Sequence, residues 1–151
     1  MNVGERWVVV VRGADRTGTL TALTSVFSTR GVSFESLATG AADGGVGTIA
    51  VTFRTSTRRQ QLLVRTVERL SVVRSVEARS ADDPSVRAAG VVRMPAGVAF
   101  RPPAQAAVRW SGDASAGQPV LVEGSLHDVT AVVDHARAQG ATLTATLILG
   151  L

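Results

Sequence analysis

Between Arg6 and Arg12 the chain reads WVVVV, apolar at odd and even positions alike. Such a run predicts a strand covered on both faces. Leu20, Leu23, Val26 and Phe27 then recur at helical spacing, with Thr21, Ser25, Ser28 and Thr29 collecting on the opposite side and Gly31 placed for a left-handed helix end. The stripe predicts a helix of about three turns. Ser33 to Ala38 reads as a second strand, the glycine-rich GAADGGVG of Gly40 to Gly47 as a loop, and Thr48 to Arg54 as a third strand with Ile49, Val51 and Phe53 on one oily face. Thr57 is placed to cap a helix from Arg58 to Leu70, and Val72 to Arg79 supplies a fourth strand. The order is βαββαβ, which predicts an antiparallel sheet with both helices on one side, the ferredoxin-like arrangement. A first strand that is apolar on both parities then needs a cover on the other side, from the rest of the chain or from another subunit.

SADDPS, Ser80 to Ser85, marks a boundary by its polarity and Pro84. Beyond it Val86 to Arg93 reads as a strand, MPAGVAFRPP is broken by proline and cannot hold a normal helix, and Ala106 to Trp110 is a short strand before the flexible SGDASAGQ. Val120 to Glu123 is a further strand. Ser125 with Asp128 starts a helix in the manner of a capping box, Val129, Val132, Val133 and Ala136 form its stripe, and Gly140 ends it. Thr142 to Leu149 puts Leu143, Ala145, Leu147 and Leu149 on one face of a last strand. This half ends βαβ like the first but has no room for a first helix, a degenerate copy of the same unit.

With 151 residues and 45% hydrophobic content, the chain has enough apolar surface for one domain or two small ones. It contains no cysteine, which removes disulfides and thiol chemistry and fits a reducing compartment. No basic leader precedes the first apolar run, and that run is too short to span a bilayer, so the expected location is the cytoplasm, with no membrane partner. All sixteen basic residues are arginine, and the net charge is +4. The arginines are scattered; Arg58, Arg65 and Arg69 share the predicted wet face of the second helix, opposite Leu63, Val67 and Leu70.

Gly13 and Gly18 bracket four residues between strand and helix, the outline of a phosphate-binding loop. Such a loop needs a lysine after the second glycine, and here Thr19 and Leu20 follow. What stays open is a plain turn or a small-anion grip, made by main-chain amides at Gly18, Thr19 and Leu20. His127 and His135 lie about 12 Å apart along one predicted helix, too far to share a metal. No nucleophile and base are paired, so no catalytic centre, metal or cofactor is expected. An RNA-binding βαββαβ domain stacks bases on exposed aromatics, and the third strand here offers Phe53 alone in a chain that is 4% aromatic. No nucleic-acid partner is expected.

DRTGTLTALTSVFSTRGVSFESLATG, Asp15 to Gly40, resembles the opening of an ACT domain, and more narrowly the regulatory small subunit of acetolactate synthase. Gly18 and Leu20, the FSTRG of Phe27 to Gly31, and the ESL of Glu35 to Leu37 followed by Gly40 carry the likeness, which runs more loosely through QLLVRTVERLSVVRSVE to Glu77, about half the chain. The resemblance implies an α+β fold, an ACT domain over residues 1–80 and a degenerate ACT-like domain over 86–151. It implies a non-catalytic homodimer that binds a thiamine-diphosphate-dependent catalytic subunit of acetolactate synthase and relays feedback by valine, leucine or isoleucine. The effector would sit at an ACT dimer interface, touching Asp15, Thr17, Gly18, Thr19, Leu20, Ser33 and Phe34. Amides at the helix start would take its carboxylate, Asp15 its ammonium, and Leu20 its side chain. The family usually carries asparagine where this chain has Asp15 and Ser33, which leaves the effector's identity open and keeps a second reading in play: a stand-alone ACT-type amino-acid sensor serving another enzyme or a transcription factor. A purely structural assembly module is the third.

Overall fold

The structure, a computed structural model, describes residues 4–14, 16–41 and 46–151. Asp15, residues 42–45 of the predicted glycine-rich loop and the first three residues lie outside that set. The chain divides into two compact units, Met1–Ala81 and Asp82–Leu151.

In the first unit β1 (Glu5–Gly13), α1 (Arg16–Thr29), β2 (Phe34–Ala41), β3 (Gly47–Thr55), α2 (Thr57–Glu68) and β4 (Val73–Ser80) follow in the predicted order. The four strands form one antiparallel sheet in the order β2-β3-β1-β4. Its register explains the core. Val9 pairs with Val51 and Val11 with Ile49, so side chains of one parity meet under the helices. There they join Leu23 and Phe27 of α1, Leu63 and Val67 of α2, and Phe53 of β3, all inaccessible to solvent or nearly so. Phe27 organises this cluster. Its ring meets Phe53 edge-on at 5.0 Å and Phe34 at a 54° tilt at 4.4 Å, geometries that aromatic quadrupoles favour. The opposite parity of β1 is also covered at its centre, where Val8 and its partner Thr52 are fully buried.

The helix ends are set by local chemistry. Gly31, at φ +69°, follows α1 as its left-handed cap: its N–H reaches Ser28 O at 3.1 Å, and the N–H of Val32 reaches Phe27 O at 3.0 Å. This is the double bond pattern of a Schellman motif, and Val32 closes it by burying its side chain beside Phe27. The cap of α2 is Ser56, not Thr57 as the sequence suggests: the Ser56 hydroxyl accepts from Arg59 N at 3.2 Å, and Thr57 is already helical. Arg58, Arg65 and Arg69 are exposed while Leu63 and Val67 are buried.

The second unit holds β5 (Arg87–Arg93), β6 (Val108–Ser111), a short 3-10 turn (Ala114–Ala116), β7 (Val120–Ser125), α3 (Leu126–Ala138) and β8 (Leu143–Gly150). Its sheet order, β6-β7-β5-β8, repeats that of the first unit strand for strand, with a single helix. The segment after β5 stands where the first helix would be. It contributes buried Met94 and Phe100, and Phe100 meets Trp110 of β6 edge-on at 5.0 Å. A proline-broken loop thus supplies apolar cover in place of a helix. Ser125 caps α3 by accepting from Asp128 N at 3.1 Å, and Val129, Val132, Val133 and Ala136 are buried. The fold is α+β, two ACT-like repeats of which the second is reduced.

Candidate ligand site at the first strand-helix corner

β1 delivers the chain into α1 through a very short connection, so the corner is tighter than the spacing of its glycines suggests. Gly13 is the last residue of β1 and Gly18 lies in the first turn of α1, rather than both standing in a loop. α1 starts at Arg16, so Gly18 is its third residue and Thr19 and Leu20 its fourth and fifth.

Side chains at the corner divide by depth. Thr17 is exposed and Gly18 half-buried. Thr19 is 1% exposed, and its buried hydroxyl has no hydrogen-bond partner among the described residues. It packs down on Gly13, where an added Cβ would collide with Thr19 Oγ1 and lie 2.9 Å from both Cβ and Cγ2. Leu20 is half-buried against the core. The role of Gly13 escapes a reading of the sequence, because a glycine ending a strand looks the same whether it serves a turn or a close approach.

The other two predicted contacts lie elsewhere within the chain. Ser33 is exposed and Phe34 half-buried at the start of β2. Phe34 pairs with Phe53 and Phe53 with Trp7, whereas Gly13 pairs with Gly47 and Gly47 with Ala41. Ladders six residues apart along β1 are separated by about 20 Å. Thr17 to Leu20 and Ser33 to Phe34 thus occupy opposite ends of one sheet. At the Ser33 end a polar cleft of about 290 Å³ opens between Gly31, Val32, Arg54 and Arg59.

A bulge between Phe34 and Ser36 turns Glu35 toward Arg54 (2.9 Å) and Arg6 (3.8 Å). Glu35 thus clamps the start of β2 to β3 and β1. Of the two histidines, His127 meets Asp82 at 3.1 Å through Nδ1, not the adjacent Asp128. Among the described residues no group of three or more His, Cys, Asp or Glu is placed to hold a metal ion, and no helix is long and apolar enough to cross a membrane.

No protein-family model matches the sequence, and no curated protein matches it. Solved structures do match. The chain superposes on the small subunit of acetolactate synthase from Thermotoga maritima with a TM-score of 0.64 at 13% identity, covering 97% of this chain and 98% of that one. The ligand-free regulatory subunit of aspartate kinase from Thermus thermophilus gives a TM-score of 0.52 at 13% identity, over 92% and 94% of the two chains. At such identities the likeness is one of fold: the chain is built, end to end, as the two-repeat ACT-type fold seen in these regulatory subunits.

Proposed function

We propose that this chain is a non-catalytic, amino-acid-sensing regulatory subunit, and specifically the small subunit of a cytoplasmic acetolactate synthase, with valine, leucine or isoleucine as effector. The observation that carries the reading is the separation of the two halves of the predicted site within one chain, combined with the position of β2 at the sheet edge. Antiparallel pairing of β2 with its copy sets the Phe34 end of one strand beside the Ala41 end of the other. That operation brings the corner at Gly13 to Leu20 of one protomer next to Ser33 and Phe34 of its partner. Leu37, 39% exposed on β2, gains apolar cover in the same step. A helix start favours a carboxylate, and Asp15 would take the ammonium group.

Co-expression with a thiamine-diphosphate-dependent catalytic subunit tests the proposal. A stable complex with altered acetolactate production is expected, and no complex with no change in rate would end it. Thermal shift tests the effector. An amino acid at 100 times its dissociation constant adds about 2.7 kcal/mol, or roughly 5 to 10 °C in midpoint for a chain of this size.

The second reading, a stand-alone amino-acid sensor for another enzyme or a transcription factor, is favoured by Asp15 and Ser33, which stand where the acetolactate synthase subunits usually carry asparagine. A thermal shift by some amino acid without any effect on acetolactate synthase would select it.

A further inference from the structure

We propose that the outer ridge of α2 is a docking surface for an acidic, leucine-centred helix of a partner protein, laid antiparallel along it. The inference rests on neither the effector nor the β2 seam. Along the sequence the arginines are scattered, but the first unit holds 11 of the 16 against 6 of the 12 acidic residues. The fold gathers Arg30, Arg58, Arg59, Arg65 and Arg69 around one helix. Arg58, Leu62, Arg65 and the C-cap Arg69 recur at the spacing of a single helical ridge, opposite the buried Leu63 and Val67. Leu62 is 39% exposed at the middle of that ridge. Arg59 stands on the same flank as Thr66, whose hydroxyl accepts from Arg30 Nη2 at 3.0 Å. Glu68, the only carboxylate of α2, lies about a quarter turn away on the other flank.

This ridge is held against local preference. Arg58 and Arg59 stand in the first turn of α2, with no acidic residue beside them, where the helix dipole disfavours positive charge. Arg65 and Arg69 are like charges four residues apart, which repel on a helix surface. Among the described residues, the guanidinium groups of Arg58, Arg59, Arg65 and Arg69 have no hydrogen-bond or ion-pair partner, Glu68 included. Arg6 and Arg54 in the same unit share Glu35. Where several local rules are broken together with no compensating contact inside the chain, a function is the expected reason.

The pattern on the ridge also selects its occupant. A second copy would set arginine against arginine. A nucleic acid would lay phosphates over Leu62, and α2 has no aromatic side chain on which a base could stack. One leucine among arginines is too narrow an apolar face for a bilayer. What matches is a helix with the complementary ridge, antiparallel so that its negative C-terminal end meets the positive start of α2. From its N-terminus such a helix carries Glu, Glu, Leu and Glu at i, i+4, i+7 and i+11. These face Arg69, Arg65, Leu62 and Arg58 in turn, over about 16 Å. The leucines form the apolar centre, and the charges around them set the register.

A synthetic helical peptide with that spacing, titrated onto this chain at low and high salt, tests the proposal. Binding is expected, and it should weaken as salt rises. Arg58→Glu with Arg65→Glu should weaken it more than about tenfold, since like charges then face each other. The same double variant should melt higher than wild type, because it places acid at the helix start and a favourable pair with Arg69. Loss of binding in a more stable chain is not misfolding. A peptide with lysine at the two facing positions should bind the double variant and not the wild type, and Leu62→Ser should weaken the original peptide. No binding by wild type, equal binding by the double variant, a double variant that melts no higher, or a lysine peptide that fails to rescue would overturn the proposal. So would duplex DNA or phosphatidylserine vesicles that bind more tightly than the peptide and are indifferent to Leu62→Ser.

Discussion

Thr19 rests directly on Gly13: the threonine methyl, Cβ and hydroxyl occupy the space where any side chain at position 13 would begin. The first turn of α1 is thereby seated on the end of β1, and the tightness of the corner follows from that contact. Gly13→Ala should cost about 1 to 3 kcal/mol, the usual price of overpacking, because a β-branched threonine has little freedom to yield. Denaturant unfolding of Gly13→Ala, Thr19→Ala and the double variant checks it. A double variant that recovers part of the loss is expected, since the three atoms nearest to that Cβ all belong to Thr19.

The buried hydroxyl of Thr19 has no partner among the described residues, a state that carries a desolvation cost with no bond in return. Thr19→Val keeps the shape and removes the hydroxyl. In the unliganded chain it should be neutral or stabilising by about 1 kcal/mol, seen as an unchanged or higher melting temperature. A fall of comparable size would show that the hydroxyl has a partner in solution.

At Gly31 no atom of the described residues, its chain neighbours aside, lies within 4 Å of an added Cβ, while φ is +69°. The cost of Gly31→Ala is therefore purely conformational, about 1 to 2 kcal/mol, with no packing term. Gly31→Asn should lose less, since asparagine tolerates the left-handed region. Urea midpoints for the two variants, with m unchanged, test this separation.

Ser125 and Asp128 hold the start of α3 reciprocally, the serine accepting from Asp128 N and donating to Asp128 Oδ2, both at 3.1 Å. Ser125→Ala should destabilise the second unit by about 1 kcal/mol, with faster amide exchange in the first turn of α3 than at its centre. Uniform protection along the helix would show that the cap does not limit opening.

The Asp113 carboxylate accepts from both the hydroxyl and the amide of Ser115, and the hydroxyl bond is the main cause of a pKa below the usual carboxylate value. A lowered folded-state pKa stabilises the turn at Ala114–Ala116 above the unfolded carboxylate value, and that contribution fades as pH falls through the lowered one. Carboxyl NMR titration should show the depression, and Ser115→Ala should move the pKa upward.

By itself the sequence determined what depends on neighbours along the chain. The βαββαβ order, the buried stripes of Leu63 with Val67 and of Val129 with Val133, the Gly31 helix end and the Ser125 cap are all legible, because helical period, strand alternation and cap chemistry act over a few residues. Local cues also misplaced what they could not resolve: Ser56 and Thr57 are equally good caps until the strand before them ends. Alternation states that Leu143, Leu147 and Leu149 share a face; only the packing of α3 on Thr144, Thr146 and Ile148 decided that this face stays open. The corner residues and Ser33 with Phe34 are close in sequence, yet the ladders from β1 through β3 to β2 set them at opposite ends of a sheet. Contact between such positions is fixed by register and by whatever packs across it, neither of which a local pattern encodes.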